Sequence, residues 1–280
     1  MLIDTHAHIN LKNFRDDGDT VIRNALSENV WMINVGVDYK TSRRALDYAN
    51  RYEKGVYAAV GLHPGQIMAG VIADDEGGEY QSRGEEFDYG VFEKLAQFEK
   101  AVAIGEIGLD YFRIVTSPEA NEIKKKQKEV FWEQLLLARR LNKPAIIHCR
   151  QAHDDMLALL GEFKKEHRNL IPQGRPWAVM HCFSGDEDLA WEYFNLGLMI
   201  SFTGLITFSK QWDDLIRRIP IDKFMIETDC PFMTPEPYRG KRNEPLLVEF
   251  VARRIAEIRK SSYEYISDMT TDNARSFFRI

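Results

Sequence analysis

Residues 1–8 read MLIDTHAH, an apolar run that ends in two histidines separated by one residue. Similar short runs, rich in aliphatic and β-branched residues, recur along the chain. Each is nearly continuous in hydrophobicity, as is typical of strands buried on both faces of a parallel sheet. These runs lie at 1–5, 31–36, 56–61, 101–106, 144–148, 177–181, 198–202 and 224–228.

Amphipathic segments separate the apolar runs and predict helices, as the spacing of Val130, Leu135 and Ala138 illustrates. A strand–helix alternation repeated eight times predicts an α/β fold, the (β/α)8 TIM barrel, and 280 residues suit its typical size. An open doubly wound sheet is the alternative, but no glycine-rich phosphate-binding motif follows the first strand. The predicted helices lie at 19–29, 41–53, 118–142, 153–168, 186–195 and 209–218, with two or three more within 243–280.

The charge of the chain is unevenly distributed. The formal net charge is −6, and the segment 70–90, with seven carboxylates against Arg83, accounts for all of it. The remainder is formally neutral and has basic groups at 124–128 and 239–242, so the overall charge does not exclude a phosphate-bearing substrate. Because no domain boundary is evident, we expect one domain over 1–280 with an acidic surface insertion near 66–90.

Nothing in the sequence predicts contact with a membrane. No apolar run approaches the roughly 20 residues of a membrane span. The first residues lack the basic region and apolar stretch of a signal peptide, and three cysteines, an odd number, are typical of reduced thiols. We therefore expect a cytoplasmic protein and, without an apolar stripe or heptad pattern, a monomer with no protein partner.

Histidines and carboxylates stand at the C-terminal ends of six predicted strands. In a barrel those ends converge on one face, where active sites are built. A single histidine or carboxylate at a strand end is more often a hydrogen-bonded structural residue. Several such groups buried together would be costly unless they are paired or bind metal. The residues concerned are His6, His8, His63, Glu106, His148, His181 and Asp229.

Imidazole and carboxylate groups together predict a site for two divalent metal ions, with Zn²⁺, Mg²⁺ or Mn²⁺ as candidates. Glu106 is the natural bridge because a carboxylate has two oxygens. Two such ions can activate a water molecule and stabilise charge on phosphoryl oxygens, and we expect Asp229 to orient that water and accept its proton. His6, His8 and Asp229 complete one predicted site, and His148 and His181 complete the other.

With these residues in place, the sequence resembles the TatD family of metal-dependent deoxyribonucleases, a relative of the amidohydrolase superfamily. Any one His-x-His pair is a weak signal, whereas an ordered set of segments over nearly the whole chain is specific. The matching segments are 3–8 (IDTHAH), 61–65 (GLHPG), 103–111 (AIGEIGLDY), 146–150 (IIHCR), 181–185 (HCFSG), 201–204 (SFTG), 227–231 (ETDCP) and 239–245 (RGKRNEP).

The resemblance implies a (β/α)8 barrel and divalent-metal-dependent hydrolysis of nucleic-acid phosphodiesters, commonly as a 3′–5′ exodeoxyribonuclease. The substrate class comes from the resemblance and not from the spacing of the residues. In this sequence the metal ligands of the family fall on His6, His8, Glu106, His148, His181 and Asp229, with Glu106 and Asp229 also catalytic.

Four further residues are candidates for substrate binding: His63, Arg150, Arg239 and Lys241. His63 is not needed to complete the metal set and could contact a phosphate oxygen. Arg150 could clamp a phosphate through a charge-assisted pair or form a structural pair with a neighbouring carboxylate. Arg239 and Lys241 follow the eighth strand. Two interpretations are open for them: contact with substrate, or a solvated basic loop.

The 66–90 insertion is longer and more acidic than the resemblance leads us to expect. It leaves the third strand on the active face, where its charge would repel a long polyanion. We therefore expect the nucleic-acid partner to be DNA ends or short single strands. A milder departure is Gln151, where the family often has an acidic residue.

Two other functions compete with the nuclease hypothesis. One is hydrolysis of an ester or amide bond, as in a D-aminoacyl-tRNA deacylase, which would fit the same metal centre. Many amidohydrolases bridge their metals with a modified lysine at the fourth strand, but Glu106 occupies that place and no lysine lies nearby. The other is an inactive binding module, which the presence of all six predicted ligands disfavours.

Overall fold

Each predicted apolar run contains a strand, and these strands pair in parallel, in chain order, as an eight-stranded sheet. The computed structural model describes residues 1–67, 69–73, 79–112, 114 and 118–280. The sheet rolls up into the predicted (β/α)8 TIM barrel, with the helices outside. Its strands are β1 (Leu2–Ala7), β2 (Val30–Val35), β3 (Val56–Val60), β6 (Ala101–Asp110), β7 (Ala145–Arg150), β8 (Ala178–Met180), β9 (Leu198–Phe202) and β10 (Phe224–Ile226).

Most helices follow the predicted segments. Two short helices were not predicted, Tyr89–Ala96 before β6 and Leu205–Phe208 after β9, and the predicted helix 209–218 is shortened to Asp213–Arg218. Strand β6 continues four residues beyond the predicted 101–106. Among the helices that the structure describes, none combines the length and apolar composition needed to span a bilayer. The helices are α1 (Gly18–Ser27), α2 (Tyr39–Ala49), α3 (Tyr89–Ala96), α4 (Pro118–Arg140), α5 (His153–Glu166), α6 (Glu187–Leu196), α7 (Leu205–Phe208), α8 (Asp213–Arg218), α9 (Val248–Arg259) and α10 (Tyr263–Phe278).

The predicted acidic insertion contains secondary structure of its own. Strands β4 (Ala69–Ala73) and β5 (Glu79–Arg83) pair as a two-stranded antiparallel sheet, separate from the barrel. It lies between β3 and α3, on the chain segment that leaves the C-terminal end of β3. The acidic residues at 74–76 lie outside the described residues.

Closure of the barrel joins the two ends of the sequence. Ala7 and Cys230 form a parallel bridge, and the amide of Asp229 donates to the carbonyl of His6 at 2.8 Å. The carboxyl group of Asp4, at the start of the barrel, accepts the amide of Thr228 at 2.8 Å and lies 2.5 Å from its hydroxyl. These contacts bring His6 and Asp229 to one place.

Two glutamines of α4 hold the active-face ends of β3 and β6. Gln134 accepts the amide of Leu62 at 2.8 Å and donates to its carbonyl at 2.9 Å. Gln127 does the same for both backbone groups of Asp110, each at 3.0 Å. Both side chains are buried, so they satisfy backbone groups that water cannot reach. They therefore position the residues that follow Leu62 and the carboxylate of Asp110.

We expect Gln134→Leu to lower the free energy of unfolding by about 2–4 kcal/mol, because it leaves a buried amide and a buried carbonyl unpaired. Urea denaturation followed by circular dichroism measures this loss. Gln211→Leu is the matched control at an exposed position and should change the value by less than about 0.5 kcal/mol. Equal stabilities of the two variants would contradict this role for Gln134.

Candidate metal centre

The six residues predicted to bind metal meet at the C-terminal face of the barrel, around Glu106. One oxygen of this carboxylate, Oε1, lies 2.9 Å from Nδ1 of His148 and 2.8 Å from Nε2 of His181. The other oxygen, Oε2, lies 3.5 Å from Nε2 of His6 and 3.7 Å from Nε2 of His8. Each oxygen of one buried carboxylate therefore faces its own pair of imidazoles.

Asp229 completes the cluster on the side of the N-terminal histidines. Its Oδ1 lies 3.4 Å from Nε2 of His8 and 3.8 Å from Nε2 of His6. The backbone of Asp229 has φ of +56°, a left-handed conformation that costs free energy in a residue other than glycine. The hydrogen bond from its amide to His6 holds that conformation.

The outward-facing ring nitrogens of three histidines lie beside groups that can only accept a hydrogen bond. Nδ1 of His8 lies 2.8 Å from the carbonyl of Val35, and Nε2 of His148 lies 3.3 Å from Oδ2 of Asp110. Nδ1 of His181 lies 3.5 Å from Oε1 of Glu227. A neutral ring that carries its proton on the outer nitrogen presents a lone pair from the inner one. These rings are therefore oriented as metal ligands, with outer-shell partners of the usual kind.

The inner ring nitrogens and the carboxylate of Glu106 are better arranged to bind divalent cations than to hydrogen-bond to one another. Nε2 of His6 lies only 3.0 Å from Nε2 of His8, so without a cation a proton must lie between two lone pairs. Oε1 of Glu106 has no hydrogen bond among the described residues, although two ring nitrogens lie within 2.9 Å of it. A cation between such groups would satisfy all of them, and the nitrogen and oxygen donors suit Zn²⁺ and Mn²⁺.

Burial and mutual attraction shift the titration of the cluster. Burial would raise the pKa of Glu106, but His181, His63 and His148 hold that pKa well below its usual range. Burial lowers the pKa of His148, yet Asp110 and Glu106 outweigh this effect and raise the pKa to about 10. Burial and repulsion from His181 lower the pKa of His6 to about 4. The carboxylate therefore stays ionised and attracts positive charge.

Two carboxylates of the centre, Asp110 and Glu227, were missed as site residues. Asp110 follows Glu106 by four residues on β6, and Glu227 precedes Asp229 by two, so strand alternation could have indicated both. Between Glu106 and Asp110, a Cβ atom on Gly108 would lie 1.9 Å from the carbonyl oxygen of His148. Glycine therefore allows β6 and β7 to approach closely where their side chains meet.

His63 lies inside the cluster, with Nε2 3.6 Å from Oε1 of Glu106 and its ring 4.4 Å from that of His148. The amide of Gly65 donates to its Nδ1 at 3.0 Å. Because an amide can only donate, the neutral ring carries its proton on Nε2, toward Glu106. His63 is thus oriented to donate a hydrogen bond into the centre.

The three basic residues predicted to bind substrate are spread around the rim. The guanidinium of Arg150, at the end of β7, lies 3.7 Å from the ring centroid of Phe112. Arg239 and Lys241 are exposed on the loop after β10, where Arg239 stacks on Phe208 at 4.2 Å. The contacts that the described residues make with these two side chains lie on the loop and on helix α7, away from Glu106.

The sequence profile of a family described as TatD related DNase matches residues 3–279. The chain belongs to this family. As a TatD-family protein, it is 40% identical over 283 residues to the metal-dependent hydrolase YabD of Bacillus subtilis, with 100% of both chains covered. It is 31% identical over 285 residues to the metal-dependent hydrolase YcfH of Escherichia coli, covering 100% of this chain and 96% of YcfH.

A solved structure shows the same architecture. The crystal structure of YjjV, a TatD homologue from Escherichia coli, superposes with a TM-score of 0.79 at 27% identity. The match covers 100% of this chain and 98% of YjjV. The TatD-family chain is therefore a metal-dependent hydrolase built on a TIM barrel.

If Glu106 bridges the cations, Glu106→Ala should remove most of the bound metal, because each oxygen faces one pair of histidines. Inductively coupled plasma mass spectrometry on the purified protein measures the metal content, and circular dichroism checks the fold. Glu129→Ala, at a half-exposed position of α4, is the control and should retain full metal. A fully metallated, folded Glu106→Ala protein would rule out the bridge.

Asp110 positions the ring of His148, so Asp110→Asn should weaken metal binding roughly 10- to 100-fold. Competition with a chromogenic chelator measures the affinity directly and does not depend on activity. The control is Asp214→Asn, since Asp214 is exposed and pairs only with Arg217 among the described residues. Unchanged affinity in Asp110→Asn would show that His148 needs no carboxylate to hold its orientation.

Proposed function

We propose that this protein hydrolyses phosphodiester bonds in DNA, as a 3′–5′ exodeoxyribonuclease that acts on DNA ends or short single strands. The observation that carries the proposal is that the two carboxylate oxygens of Glu106 face two different pairs of histidines. That arrangement suits two adjacent cations, which is the arrangement used by many phosphoryl-transfer enzymes. Membership of a family described as TatD related DNase supports the substrate class.

The proposed ligands divide between two positions that share Glu106. His6, His8 and Asp229 would hold one cation, and His148 and His181 would hold the other. When bound, the two divalent cations would lower the pKa of a water molecule and stabilise negative charge on the phosphoryl oxygens. The outer carboxylates Asp110 and Glu227 keep the rings of the second pair in orientation.

Asp229 is the proposed general base. It is fully buried, its backbone is held by His6, and its Oδ1 faces the N-terminal pair of histidines. From this position it would orient the attacking water and take a proton on a carboxylate oxygen. A positioned base of this kind contributes roughly 10²- to 10⁴-fold to the rate.

The remaining residues would bind the phosphate. His63 carries its proton on Nε2, which lies 3.6 Å from Oε1 of Glu106. This N–H would donate a hydrogen bond to a non-bridging phosphate oxygen. Arg150 lies two residues beyond His148 on the same strand, and its stacking on Phe112 holds the guanidinium at the rim. A guanidinium there would pair with a phosphate oxygen through charge-assisted hydrogen bonds.

We expect the metal-loaded protein to shorten a 5′-labelled single-stranded oligonucleotide stepwise from its 3′ end, and a chelator to abolish the reaction. Asp229→Asn should lower kcat roughly 10²- to 10⁴-fold. Gel electrophoresis of the products measures both rate and polarity, with Asp214→Asn as the unaffected control. The same preparation is assayed on a D-aminoacyl-tRNA and on p-nitrophenyl acetate. Release of the amino acid without cleavage of DNA would reject the proposal in favour of an ester hydrolase.

A further inference from the structure

Three arginines, here called the arginine cluster, meet at the end of the barrel opposite to the metal centre. Arg139 lies in the last turn of α4, Arg175 lies shortly before β8, and Arg279 directly follows α10. The candidate metal ligands His148 and His181 lie at the other ends of β7 and β8. The arginine cluster is therefore separated from the metal centre by the length of the barrel strands.

The side chain of Asn142 lies between the three arginines. Its amide oxygen, Oδ1, lies 3.4 Å from a terminal nitrogen of Arg139, 3.1 Å from one of Arg175 and 3.2 Å from one of Arg279. An amide oxygen has two lone pairs, so three donors share two acceptor positions. All three distances exceed the roughly 2.9–3.0 Å that is most common for such hydrogen bonds. One neutral oxygen therefore stands where three positive charges converge.

These charges have no acidic partner in the part of the chain that the structure describes. Arg139, Arg175 and Arg279 form no ion pair with a carboxylate there. Arg139 is only 5% exposed, and its other donors reach the backbone carbonyls of Leu170 and Lys143 at 3.0 and 2.7 Å. These oxygens satisfy its hydrogen bonds but not its charge. A buried charge without an opposite charge is costly.

The positive groups of the cluster also repel one another. Burial, together with the charges of Arg175 and Arg279, lowers the pKa of Arg139 to about 10. Burial and Arg175 lower the pKa of Arg279, and burial and Arg279 lower that of Lys143. No acidic group among the described residues opposes these three shifts. An anion bound among these groups would remove their repulsion.

The backbone holds Asn142 in place at the end of α4. Asn142 has φ of +53°, a left-handed conformation that asparagine adopts more readily than most residues. Its amide donates to the carbonyl of Arg139 at 3.1 Å, and the amide of Lys143 donates to the carbonyl of Ala138 at 2.8 Å. The ammonium of Lys143 donates to the carbonyl of Ala101. The position between the arginines is therefore fixed before a ligand binds, which favours binding.

We propose that the arginine cluster binds a phosphate group, either free phosphate or the terminal phosphate of a monoester. One phosphate oxygen would take the place of the Asn142 amide oxygen, and the others would accept hydrogen bonds from Arg175 and Arg279. Guanidinium groups match phosphate through paired, charge-assisted hydrogen bonds. A phosphate monoester carries roughly −1.5 to −2 charges at pH 7, so it balances three cations better than a carboxylate does. The site does not depend on the proposed hydrolysis.

The first test supplies the missing negative charge from the protein itself. Asn142→Asp keeps the size of the side chain, and aspartate tolerates the same left-handed backbone. We expect the Tm of the full, metal-loaded protein to rise by roughly 2–4 °C in a buffer without phosphate, because the new carboxylate pairs with the arginines. Differential scanning calorimetry measures this shift.

Asn29→Asp is the matched control. Asn29 is exposed, has φ of +56° and lies between α1 and β2, so it occupies the same kind of helix end as Asn142. A negative charge at a helix C-terminus is unfavourable at both positions, and only Asn142 contacts arginines in the described part of the chain. Asn29→Asp should not raise Tm. An equal rise in both variants, or no rise in Asn142→Asp, would overturn the proposal.

The second test measures phosphate binding by equilibrium dialysis against ³²P-labelled inorganic phosphate at constant ionic strength. The metal centre also attracts phosphate, so the unchanged protein and the variants are compared at the same metal content. We expect Arg175→Gln to weaken one binding event roughly 10-fold. Arg43→Gln, on an exposed part of α2 where Arg43 pairs with Asp47 at 3.6 Å, should leave binding unchanged. Equal binding by these two variants would overturn the site.

Unlabelled competitors then identify the ligand class. Displacement of the label that Arg175→Gln fails to bind is measured with glycerol 3-phosphate and with sodium acetate. Displacement by glycerol 3-phosphate supports a site for a terminal phosphate of a monoester, and its absence supports a site for the free ion. Equal displacement by acetate would show that any anion suffices and would overturn the assignment to phosphate.

Discussion

The attraction between one buried carboxylate and the five imidazoles around it is the interaction on which the rest of this structure depends. Glu106 is 3% exposed and remains ionised, a state that would be costly inside a protein without nearby positive charge. The barrel supplies the geometry, because parallel strands deliver their carboxyl ends to one face. The imidazoles come from four different strands or strand ends, so the centre forms only when the barrel has brought these strands together.

Support for the centre extends outward through buried polar contacts. Asp110 and Glu227 orient two of the histidines, and Glu227 is itself held by the hydroxyl of Ser201 at 2.7 Å and the amide of Cys182 at 2.6 Å. The carboxylate of Asp4 accepts a hydrogen bond from the amide of Thr228 and so holds the first and last strands together. Hydrogen bonds of this kind hold buried polar groups in fixed orientations. The carboxylates behind the histidines are therefore fixed in place, while Oε1 of Glu106 has no hydrogen bond among the described residues.

The barrel and the six clustered residues could be predicted because burial on both faces leaves continuous apolar runs, and polar residues at their ends stand out. Strand alternation could have placed Asp110 and Glu227 on the same side as Glu106 and Asp229, but not paired them with particular histidines. Their partners His148 and His181 come from other strands of the barrel, and the closed barrel brings them within reach.

Barrel closure also determines when, during synthesis of the chain, the metal centre is completed. Asp4 and Thr228, which hydrogen-bond to each other, are 224 residues apart in the sequence. A chain emerging from the ribosome exposes His6 and His8 long before Asp229 exists, and contacts of such long range form late in folding. The metal centre is therefore complete only after the last strand, which precedes Asp229, has been made. A partly synthesised chain that lacks Asp229 therefore lacks one side of the metal centre.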